Sequence, residues 1–376
     1  MNRRRHHIVI DGRIRRTSTG RYVDRLIEHL QALDDFNRYT ILLQPDDPWK
    51  PTAKNFSTVA CPYPQFSVNP LSELKFTTQL YSLKPDLVHF TMTQQPLLYF
   101  GKIVTTSHDT TMYRFVRRGS TPLPLYKLKI GLYAFLVWWG HRKSAKVIIP
   151  TRTVAKEFAE MQPFVADKLV VTLEASEPPL SVPAVRPDSV HPNERFIMYV
   201  GTAFPHKNLP TLIKAFNIIC KQDPDLKLVI VGKHEKHYFE LIEWAKTQPS
   251  YDRIIFTGFI ADEALKWLYT HCRAYVFASL SEGFGLPPLE AMSHGAPVVS
   301  SDSSVMPEVY GDAAHYCKGG DPKDIARAVS EVIDNEILRK DLIKRGHERL
   351  KKFSWRHMAD QTLIVYKDVL GDTTKE

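Results

Sequence analysis

The chain of 376 residues has few cysteines and no long apolar run. Its four cysteines lie far apart and form no CxxC pair, so neither a zinc site nor a disulfide framework is predicted. This cysteine usage is typical of a reducing compartment. No stretch of about 18 apolar residues occurs, so no transmembrane helix is predicted. The first apolar run, Ile8 to Ile10, is too short for a signal-peptide core and is predicted to be a strand.

Two common nucleotide-binding motifs are also absent. No GxxxxGK[ST] sequence is present, so a P-loop is excluded. The loop that ends at Gly20 lacks a full GxGxxG, which argues against a nicotinamide or flavin cofactor. The only DxD sequence, Asp223-Pro224-Asp225, lies beside a proline and is interpreted as a turn at a helix end. We therefore expect no cofactor and no metal ion.

Acidic residues are scarce in the first half of the chain. Residues 1–185 contain 25 Lys and Arg against 15 Asp and Glu, whereas residues 186–376 contain 25 against 26. This asymmetry predicts an anionic partner for the first half, such as nucleic acid, an acidic lipid surface or a phosphorylated substrate. A solvated basic face is the alternative. No recognised nucleic-acid motif occurs, so nucleic acid is not the expected partner.

Short β-branched runs alternate with helix-length segments in both halves. The predicted strands are HHIVI, YTILL, DLVHF, KIVTT and KVIIP, then RFIMYV, LKLVIV, RIIF, RAYVF and APVVS. This alternation is the pattern of parallel sheets with helices on both faces. A segment with five prolines, residues 177–195, separates the two series. We therefore predict an α/β protein of two Rossmann-like, doubly wound domains, at residues 1–180 and 181–355.

The segment Leu125–Trp139 is apolar on more than one side. Apolar residues recur at helical spacing, and the opposite side of the predicted helix is apolar too. A helix of this kind is usually buried, so burial is the expectation. Contact with a membrane surface, with Trp138 and Trp139 at the interface, is the alternative.

Special residues follow six of the predicted strands. Parallel sheets bind ligands outside the carboxyl ends of their strands. A lone His-Asp pair is more often a capped turn, and a lone Gly-Lys is usually a turn, but the joint placement of six clusters predicts a ligand site. The clusters are Gly12 with Gly20; Ser107 to Asp109; Gly201, His206 and Lys207; Gly232 and Lys233; Thr257 to Phe259; and Glu282 to Glu290.

The last cluster, EGFGLPPLE, is interpreted as a helix start that binds an anion. Its adjacent prolines fit the first turn of a helix, and its glycines let the backbone approach a ligand closely. Free N–H groups and the helix dipole would then favour a diphosphate. Glu290, about one turn into the helix, could accept two hydrogen bonds from a ribose diol, and Glu282 would face a reacting sugar. An ordinary turn with solvated charges is the alternative.

The segment EGFGLPPLEAMSHGAPVV resembles the glutamate–seven residues–glutamate motif of retaining family-four glycosyltransferases with the GT-B fold. YVGTAFPHKNLPTLIKAF resembles the first strand, loop and helix of the family's donor domain, and TSHDTT resembles its catalytic histidine segment. TGRYVDRL resembles the glycine loop of the mannosyltransferase-B-like subgroup. FSWRHMADQTL resembles the family's final helix. The resemblance implies two domains that face a central cleft, with a helix at residues 356–372 returning to the N-terminal domain.

The resemblance also implies roles for individual residues. Lys207 would hold the donor diphosphate and stabilise the leaving group, Glu282 would contact the donor sugar, and His108 would lie near the reacting centre. Thr202 and His206 stand where many members carry arginine, so Lys207 is expected to be the sole fixed positive charge on the diphosphate. The remaining implied donor-binding residues are Gly20, Gly201, Thr202, His206, Gly232, Lys233, Phe259, Gly283, Phe284, Gly285, Leu286 and Glu290.

The implied reaction moves a hexose from a nucleotide-diphosphate sugar to a hydroxyl of a glycan or lipid-linked acceptor. It retains the anomeric configuration and needs no metal, and the subgroup favours GDP-mannose as the donor. A nucleotide-sugar epimerase or hydrolase on the same fold, or a nucleotide-sugar-binding protein without catalysis, are the alternatives. The protein is expected in the cytoplasm, peripheral at the inner membrane face. There the cluster Arg13, Arg15, Arg16 and Arg21 would bind an anionic acceptor and the membrane.

Overall fold

The computed structural model describes residues 4–17, 19–64, 69–115 and 122–372. The chain divides into two compact units. Unit 1 comprises the described residues of Met1–Asp109, Arg118–Glu174 and Ser354–Glu376, and unit 2 those of Thr110–Arg117 and Ala175–Phe353. The division therefore falls a few residues before position 180. The sequence did not indicate that the segment from Thr110 belongs to unit 2.

Unit 1 is built on a seven-stranded parallel sheet, in the order β3-β2-β1-β4-β5-β6-β7. Its central strands are buried at every position, as expected when helices cover both faces of a parallel sheet. The strands are β1 (His7–Asp11), β2 (Arg38–Leu43), β3 (Phe56–Ala60), β4 (Leu87–Phe90), β5 (Ile103–Thr106), β6 (Lys146–Ile149) and β7 (Leu169–Val171). The helices that begin between them are α1 (Gly20–Leu33), α2 (Pro70–Ser82), α3 (Thr111–Arg114, in unit 2), α4 (Leu123–Lys143) and α5 (Arg152–Met161).

Unit 2 is built on a six-stranded parallel sheet, in the order β10-β9-β8-β11-β12-β13. The two parallel-sheet units confirm the predicted α/β class. The strands are β8 (Phe196–Val200), β9 (Lys227–Val231), β10 (Ile254–Gly258), β11 (Ala274–Phe277), β12 (Val298–Ser301) and β13 (Ala314–Cys317). The helices are α6 (Leu209–Gln222), α7 (Lys236–Ala245), α8 (Asp262–His271), α9 (Leu286–Ser293), α10 (Met306–Tyr310), α11 (Pro322–Asp334) and α12 (Glu336–Leu350).

The last helix, α13 (Trp355–Leu370), returns to unit 1 and packs against α1. Its start is capped by Ser354, whose hydroxyl accepts a hydrogen bond from the His357 amide. On its buried side the Tyr366 hydroxyl lies 2.6 Å from Nδ1 of His89 in β4. Near its end the Val369 carbonyl accepts a hydrogen bond of 2.8 Å from Lys102. The predicted return of the C-terminal helix is confirmed.

Helix α4 is largely exposed, so the expectation of burial is wrong for most of its length. Its buried residues, Val137, Gly140 and His141, all lie in its last two turns. Leu128 is 69% exposed and Phe135 is 49% exposed. An apolar composition on every side of a helix does not show which side meets the core, and here the core takes up one end of it.

Two glycines of unit 1, one at the start of α1 and one in the middle of α4, differ in how closely other atoms pack around them. At Gly20 a Cβ would lie 2.4 Å from the Ile14 carbonyl oxygen, and at Gly131, in the middle of α4, it would meet nothing within 4 Å. We expect Gly20→Ala to lower the free energy of unfolding by about 2 kcal/mol, because backbone atoms must move. Gly131→Ala should raise it by about 0.5–1 kcal/mol. Urea titrations followed by circular dichroism measure both effects, and changes of equal sign would contradict this packing.

Candidate functional site

The sheet order of unit 2 places a switch point between β8 and β11. The chain runs outward from β8 through β9 to β10 and then returns to β11 on the other side of β8. The crevice outside the carboxyl ends of the strands at such a reversal is where parallel α/β sheets bind ligands. The segments that follow β8 and β11 contain Lys207 and Glu282. The topology therefore brings together two of the predicted site residues that are 75 positions apart.

Lys207 and Glu282 form an ion pair at this point. The Lys207 ammonium donates a hydrogen bond of 2.7 Å to Oε1 of Glu282. The two side chains are only 13% and 11% exposed. The ammonium also lies 5.4 Å from the centre of the Phe277 ring, at the end of β11. Solvent screens a pair at this depth weakly, so the loss of either partner leaves a costly lone charge.

Asn208 holds Lys207 in place, a role that the sequence analysis did not identify. Its backbone is left-handed, with φ of 60°, which asparagine tolerates better than most residues. Its side-chain amide donates to the carbonyls of Ala278, at 3.1 Å, and Gly319, at 2.6 Å. The loop after β8 is thus tied to the loops after β11 and β13. An asparagine directly before a Leu-Pro helix start was the only signal in the sequence.

Glu282 is held by a second residue that was not predicted. The Ser304 hydroxyl lies 3.4 Å from the backbone nitrogen of Glu282 and 3.3 Å from its carbonyl oxygen. Ser304 itself is left-handed, with φ of 53°, a conformation that a non-glycine residue rarely adopts. Strained positions of this kind concentrate at functional sites. The backbone on which Glu282 sits is therefore fixed from the loop after β12.

Helix α9 begins beside this pair, at Gly285. Gly285 has φ of 86°, and its carbonyl accepts a hydrogen bond of 2.8 Å from the buried Tyr310 hydroxyl. A Cβ at this position would lie 2.2 Å from that hydroxyl oxygen. The first turn, which starts at Leu286, contains the two prolines as predicted. Proline has no N–H, so the backbone amides that suit an anion at this helix start are those of Gly285 and Leu286. Glu290 is half-buried one turn further along α9.

Two neighbouring predicted residues are packed into the unit. His206 is 5% exposed, and its ring lies 6.0 Å from the rings of both Phe204 and Phe115. Phe284 is 4% exposed and meets the edge of the Phe353 ring at 5.5 Å. Both side chains therefore belong to the interior of the unit. Gly283, between Glu282 and Phe284, is half-buried.

The other predicted donor residues of unit 2 follow β8 itself and the strands β9 and β10. The carbonyl of Gly201, where φ is 148°, accepts a hydrogen bond of 2.7 Å from Tyr238. A Cβ on Gly232 would lie 2.2 Å from that same carbonyl oxygen, so both strand ends require glycine. Thr202 is exposed, and Lys233 is exposed and lies 3.5 Å from Glu235. Phe259, after β10, is 84% exposed.

In unit 1, His108 follows β5 in a pocket of hydrogen-bond acceptors. Its Nδ1 lies 3.3 Å from Oε1 of Glu174, and its Nε2 lies 3.0 Å from the Thr91 carbonyl. The edge of the Tyr22 ring packs against it at 4.9 Å. Burial alone would lower the pKa of His108, but the Glu174 carboxylate and the Thr91 carbonyl raise it above its ordinary value. Two acceptors fit an imidazolium, which donates from both nitrogens. The sequence did not indicate Glu174 or Thr91.

The arginine cluster does not present four charges to solvent. Arg13 is buried, 2.7 Å from the Asp11 carboxylate, and lies over the Phe76 ring. Arg15 is held between Asp24 and Asp47. The expectation that both would bind an anionic acceptor therefore fails, because carboxylates already neutralise them inside the unit. The other two members remain accessible: Arg16 is exposed and lies 3.0 Å from Asp46, and Arg21 is half-buried on α1.

Within residues 4–17, 19–64, 69–115 and 122–372, no three His, Cys, Asp or Glu side chains are grouped as a metal ion would need. In the same ranges, the structure contains no helix with the length and apolar character needed to cross a membrane.

Comparison with known sequences identifies a family model and relatives that resemble parts of this chain. Residues 183–349 match the family model described as glycosyl transferases group 1. The chain is 31% identical over 174 residues to O-antigen chain mannosyltransferase B of Escherichia coli, which covers 46% of this chain and 45% of that protein. It is 25% identical over 302 residues to O-antigen chain mannosyltransferase RfbU of Salmonella typhimurium, which covers 77% of this chain and 81% of that protein. The match to the first relative thus spans less than half of its length.

Comparison with solved structures concerns the whole fold. The chain superimposes on sucrose-phosphate synthase from Thermosynechococcus elongatus with a TM-score of 0.74 and 18% sequence identity, over 98% of this chain and all of that one. At this identity the likeness shows the fold and not the activity. Together with the two parallel sheets, it confirms the GT-B fold.

Proposed function

We propose that this protein transfers a hexose from a nucleotide-diphosphate sugar to a hydroxyl group, and the match of residues 183–349 to the glycosyl transferases group 1 model supports this. The observation that supports this most directly is the buried pair of Lys207 and Glu282, beside the start of α9 at the switch point of unit 2. A fixed cation and free helix N–H groups lie within one short region. That combination suits a diphosphate leaving group.

In this proposal Lys207 stabilises the departing diphosphate. Negative charge grows on the leaving group as the bond to the sugar breaks, and a cation held in place there costs no reorganisation. The diphosphate would compete with Glu282 for the Lys207 ammonium. Glu282 would then be free to contact the sugar, while Glu290 accepts hydrogen bonds from the ribose.

His108 would assist at the transferred sugar. An imidazolium that exchanges its contact with the Thr91 carbonyl for a sugar hydroxyl keeps its Glu174 partner. Glu174 would thereby hold both the orientation and the charge of the ring. We further propose that the anomeric configuration is retained, that no metal ion takes part and that the leaving diphosphate accepts the proton of the acceptor. The likeness of TSHDTT to the family's histidine segment supports these points.

The proposed donor is GDP-mannose and the proposed acceptor is a glycan, either free or linked to a lipid. Two relatives, from Escherichia coli and Salmonella typhimurium, are named as O-antigen chain mannosyltransferases, and this supports the choice. The glycine loop at Gly20, which resembles the mannosyltransferase-B-like subgroup, agrees with it. We place the reaction on the cytoplasmic side, where nucleotide sugars are made.

Donor binding is tested by thermal shift with UDP-, GDP-, ADP-, dTDP- and CMP-sugars. A ligand at 100 times its Kd stabilises the folded state by about 2.7 kcal/mol, so GDP-mannose is expected to raise the melting temperature by several degrees. Glu290→Ala should abolish this rise because the ribose loses its acceptor. Glu336→Ala, which removes an exposed carboxylate of α12 in the same unit, is the matched control.

Different outcomes test the role of Glu290, the binding of a donor and the type of reaction. A rise that persists in Glu290→Ala would remove Glu290 from the site, and the absence of a rise with any sugar would contradict donor binding. The same protein is then assayed for release of GDP with and without glycan acceptors. Consumption of the donor with no acceptor present would identify a hydrolase or an epimerase instead of a transferase.

A further inference from the structure

Helix α4 presents an unpartnered apolar stripe on the surface of unit 1. Five large side chains of the helix are 40–69% exposed: Leu123, Leu125, Leu128, Leu132 and Phe135. The core takes up the end of the helix, where Val137, Gly140 and His141 are buried. The first three turns thus stand out from the unit with their apolar residues in solvent. Isolated exposed leucines are normal, but a continuous row of them marks an interaction surface.

The geometry of the helix gathers four of these five residues on one side, and Leu123 lies on the opposite side. At about 100° per residue, Leu128, Leu132 and Phe135 lie within a sector of about 60°. Lys127 and Lys129 lie on opposite flanks of that sector, each about 60–80° from its edge. The helix therefore shows an apolar strip bordered by a lysine on either side.

The strip continues onto an aromatic surface at the other end of the helix. The ring of Phe135 lies 6.0 Å from that of Trp138, which lies 6.1 Å from that of Trp139. Trp139 in turn meets the ring of Phe100 at 6.5 Å, in the loop between β4 and β5. Phe100 is 63% exposed and Leu98, next to it, is 55% exposed. The apolar face thus extends beyond one helix.

The charged residues of α4 itself all have one sign. Residues 123–143 contain no Asp or Glu. Lys127, Lys129 and Arg142 are exposed on α4. Lys143, by contrast, donates to the Tyr99 carbonyl at 3.1 Å, and burial lowers its pKa to about 8, so it belongs to the protein interior. The surface partner of α4 must therefore offer apolar area together with negative charge.

We propose that α4 docks unit 1 onto an anionic lipid bilayer, with the helix in the plane of the membrane surface. Leucine and phenylalanine would enter the boundary between headgroups and acyl chains, tryptophan would lie at headgroup level, and the flanking lysines would meet the anionic headgroups. A second copy of this chain fits less well, since two copies of the strip would bring like charges together. The docking surface is thus α4 and not the arginine cluster near Gly20, where carboxylates pair with three of the four arginines.

The test is co-sedimentation of the protein with phosphatidylcholine vesicles, with and without phosphatidylglycerol. The wild type is expected to bind the anionic vesicles. The double variant Leu128→Gln/Phe135→Gln should lower the partition coefficient at least about tenfold, through lost apolar burial. Lys127→Gln/Lys129→Gln should lower it about tenfold at low salt and less at high salt, because the headgroup attraction is screened.

Two control variants remove the same kinds of side chain, an exposed apolar residue and two exposed lysines, at positions outside α4. Ile337→Gln replaces an 82% exposed apolar residue of α12, and Lys50→Gln/Lys54→Gln removes two exposed lysines of unit 1. Both should bind like the wild type. Every altered residue is exposed, so circular dichroism and the donor-induced thermal shift are expected to be unchanged. Vesicle binding therefore tests the membrane surface, and the donor-induced thermal shift tests the proposed transferase site independently of it.

Three results would overturn the proposal. The first is a wild type that does not bind anionic vesicles at low salt, and the second is a Leu128→Gln/Phe135→Gln variant that binds them as well as the wild type. The third is a sedimentation equilibrium experiment without vesicles in which the wild type is a dimer and Leu128→Gln/Phe135→Gln is a monomer. The strip would then be an interface between two copies of the chain. A blue shift of tryptophan emission with anionic vesicles, lost in Trp138→Phe, would support membrane insertion.

Discussion

Lys207→Met is expected to lower kcat by about 10²–10³-fold, because it removes the cation that meets the leaving diphosphate. A methionine fills nearly the same volume as the lysine, so the packing against Phe277 is kept and mainly the charge is lost. Stabilisation of developing charge acts on the transition state more than on the bound donor. The change should therefore appear in kcat more than in KM. Steady-state kinetics with the donor identified by thermal shift measure it.

The substitution also leaves Glu282 without its partner at 2.7 Å, which lowers stability independently of catalysis. The double variant Lys207→Met/Glu282→Gln separates the two effects, because it leaves no lone charge. It is expected to regain melting temperature without regaining activity. Lys214→Met, on the exposed side of α6, is the matched control and should be fully active. A Lys207→Met enzyme whose kcat stays within about threefold of the wild type would show that leaving-group stabilisation has another source.

The strands at the centre of both sheets are predictable from the sequence, and of the four edge strands only β10, predicted as RIIF, was found in this way. The unpredicted strands are β3, β7 and β13, and each is an edge strand. In β3 only Phe56 is buried, and all three residues of β7 are half-buried. A strand paired on one side and open on the other carries no continuous apolar run, so its sequence resembles a loop.

The residues of the candidate site also divide into those that the sequence predicts and those that it does not. Lys207 and Glu282 were predicted to act together because the ends of parallel strands meet at one edge of the sheet, a rule that needs no side-chain detail. Asn208, Ser304 and Glu174 were missed because each acts through a contact with a distant segment. The separation is 111 positions between Asn208 and Gly319, and 66 between His108 and Glu174. Only the folded chain shows such contacts.

The number of basic residues in a stretch of sequence did not predict which of them carry an unpaired charge, because ion pairs form between distant segments. Arg15 lies near Gly20 in the sequence, but its partner Asp47 is 32 positions away, after β2. The excess of basic residues in the first half is real, yet its most concentrated cluster is partly neutralised. Helix α4 shows the converse. Its apolar composition predicted a core helix, and its exposed position makes that composition a property of the surface.

Acid is expected to destabilise unit 1 strongly, through two buried histidines that the proposed reaction does not use. Burial lowers the pKa of His89 to about 3 and that of His141 to about 4. Their neutral rings are fully bonded: His89 to Tyr366 and Thr106, and His141 to Ser107 and Gln162.

The sign of the effect follows from these directions. In the unfolded chain both histidines bind a proton near pH 6.5, whereas in the folded unit they stay neutral until about pH 3 to 4. Their contribution is therefore fully present above pH 6.5 and is lost as the pH falls toward 4. By pH 5 each histidine should cost about 2 kcal/mol relative to neutral pH. His108, whose pKa is raised, acts in the opposite direction, because the folded unit stabilises its protonated form.

Urea titrations of the wild type and of His141→Gln between pH 8 and pH 4.5 measure this contribution. The variant should be less stable than the wild type at pH 8, because glutamine fills the imidazole site poorly. Its stability should nevertheless fall less steeply below pH 6.5, by up to about 1.4 kcal/mol per pH unit, since one titrating group is gone. His357→Gln, at an exposed position of α13, is the matched control. Parallel slopes for wild type and His141→Gln would show that the acid lability of unit 1 lies elsewhere. A shallower slope in the variant would identify the buried network of Ser107, His141 and Gln162 as part of the acid-sensitive core beneath the His108 loop.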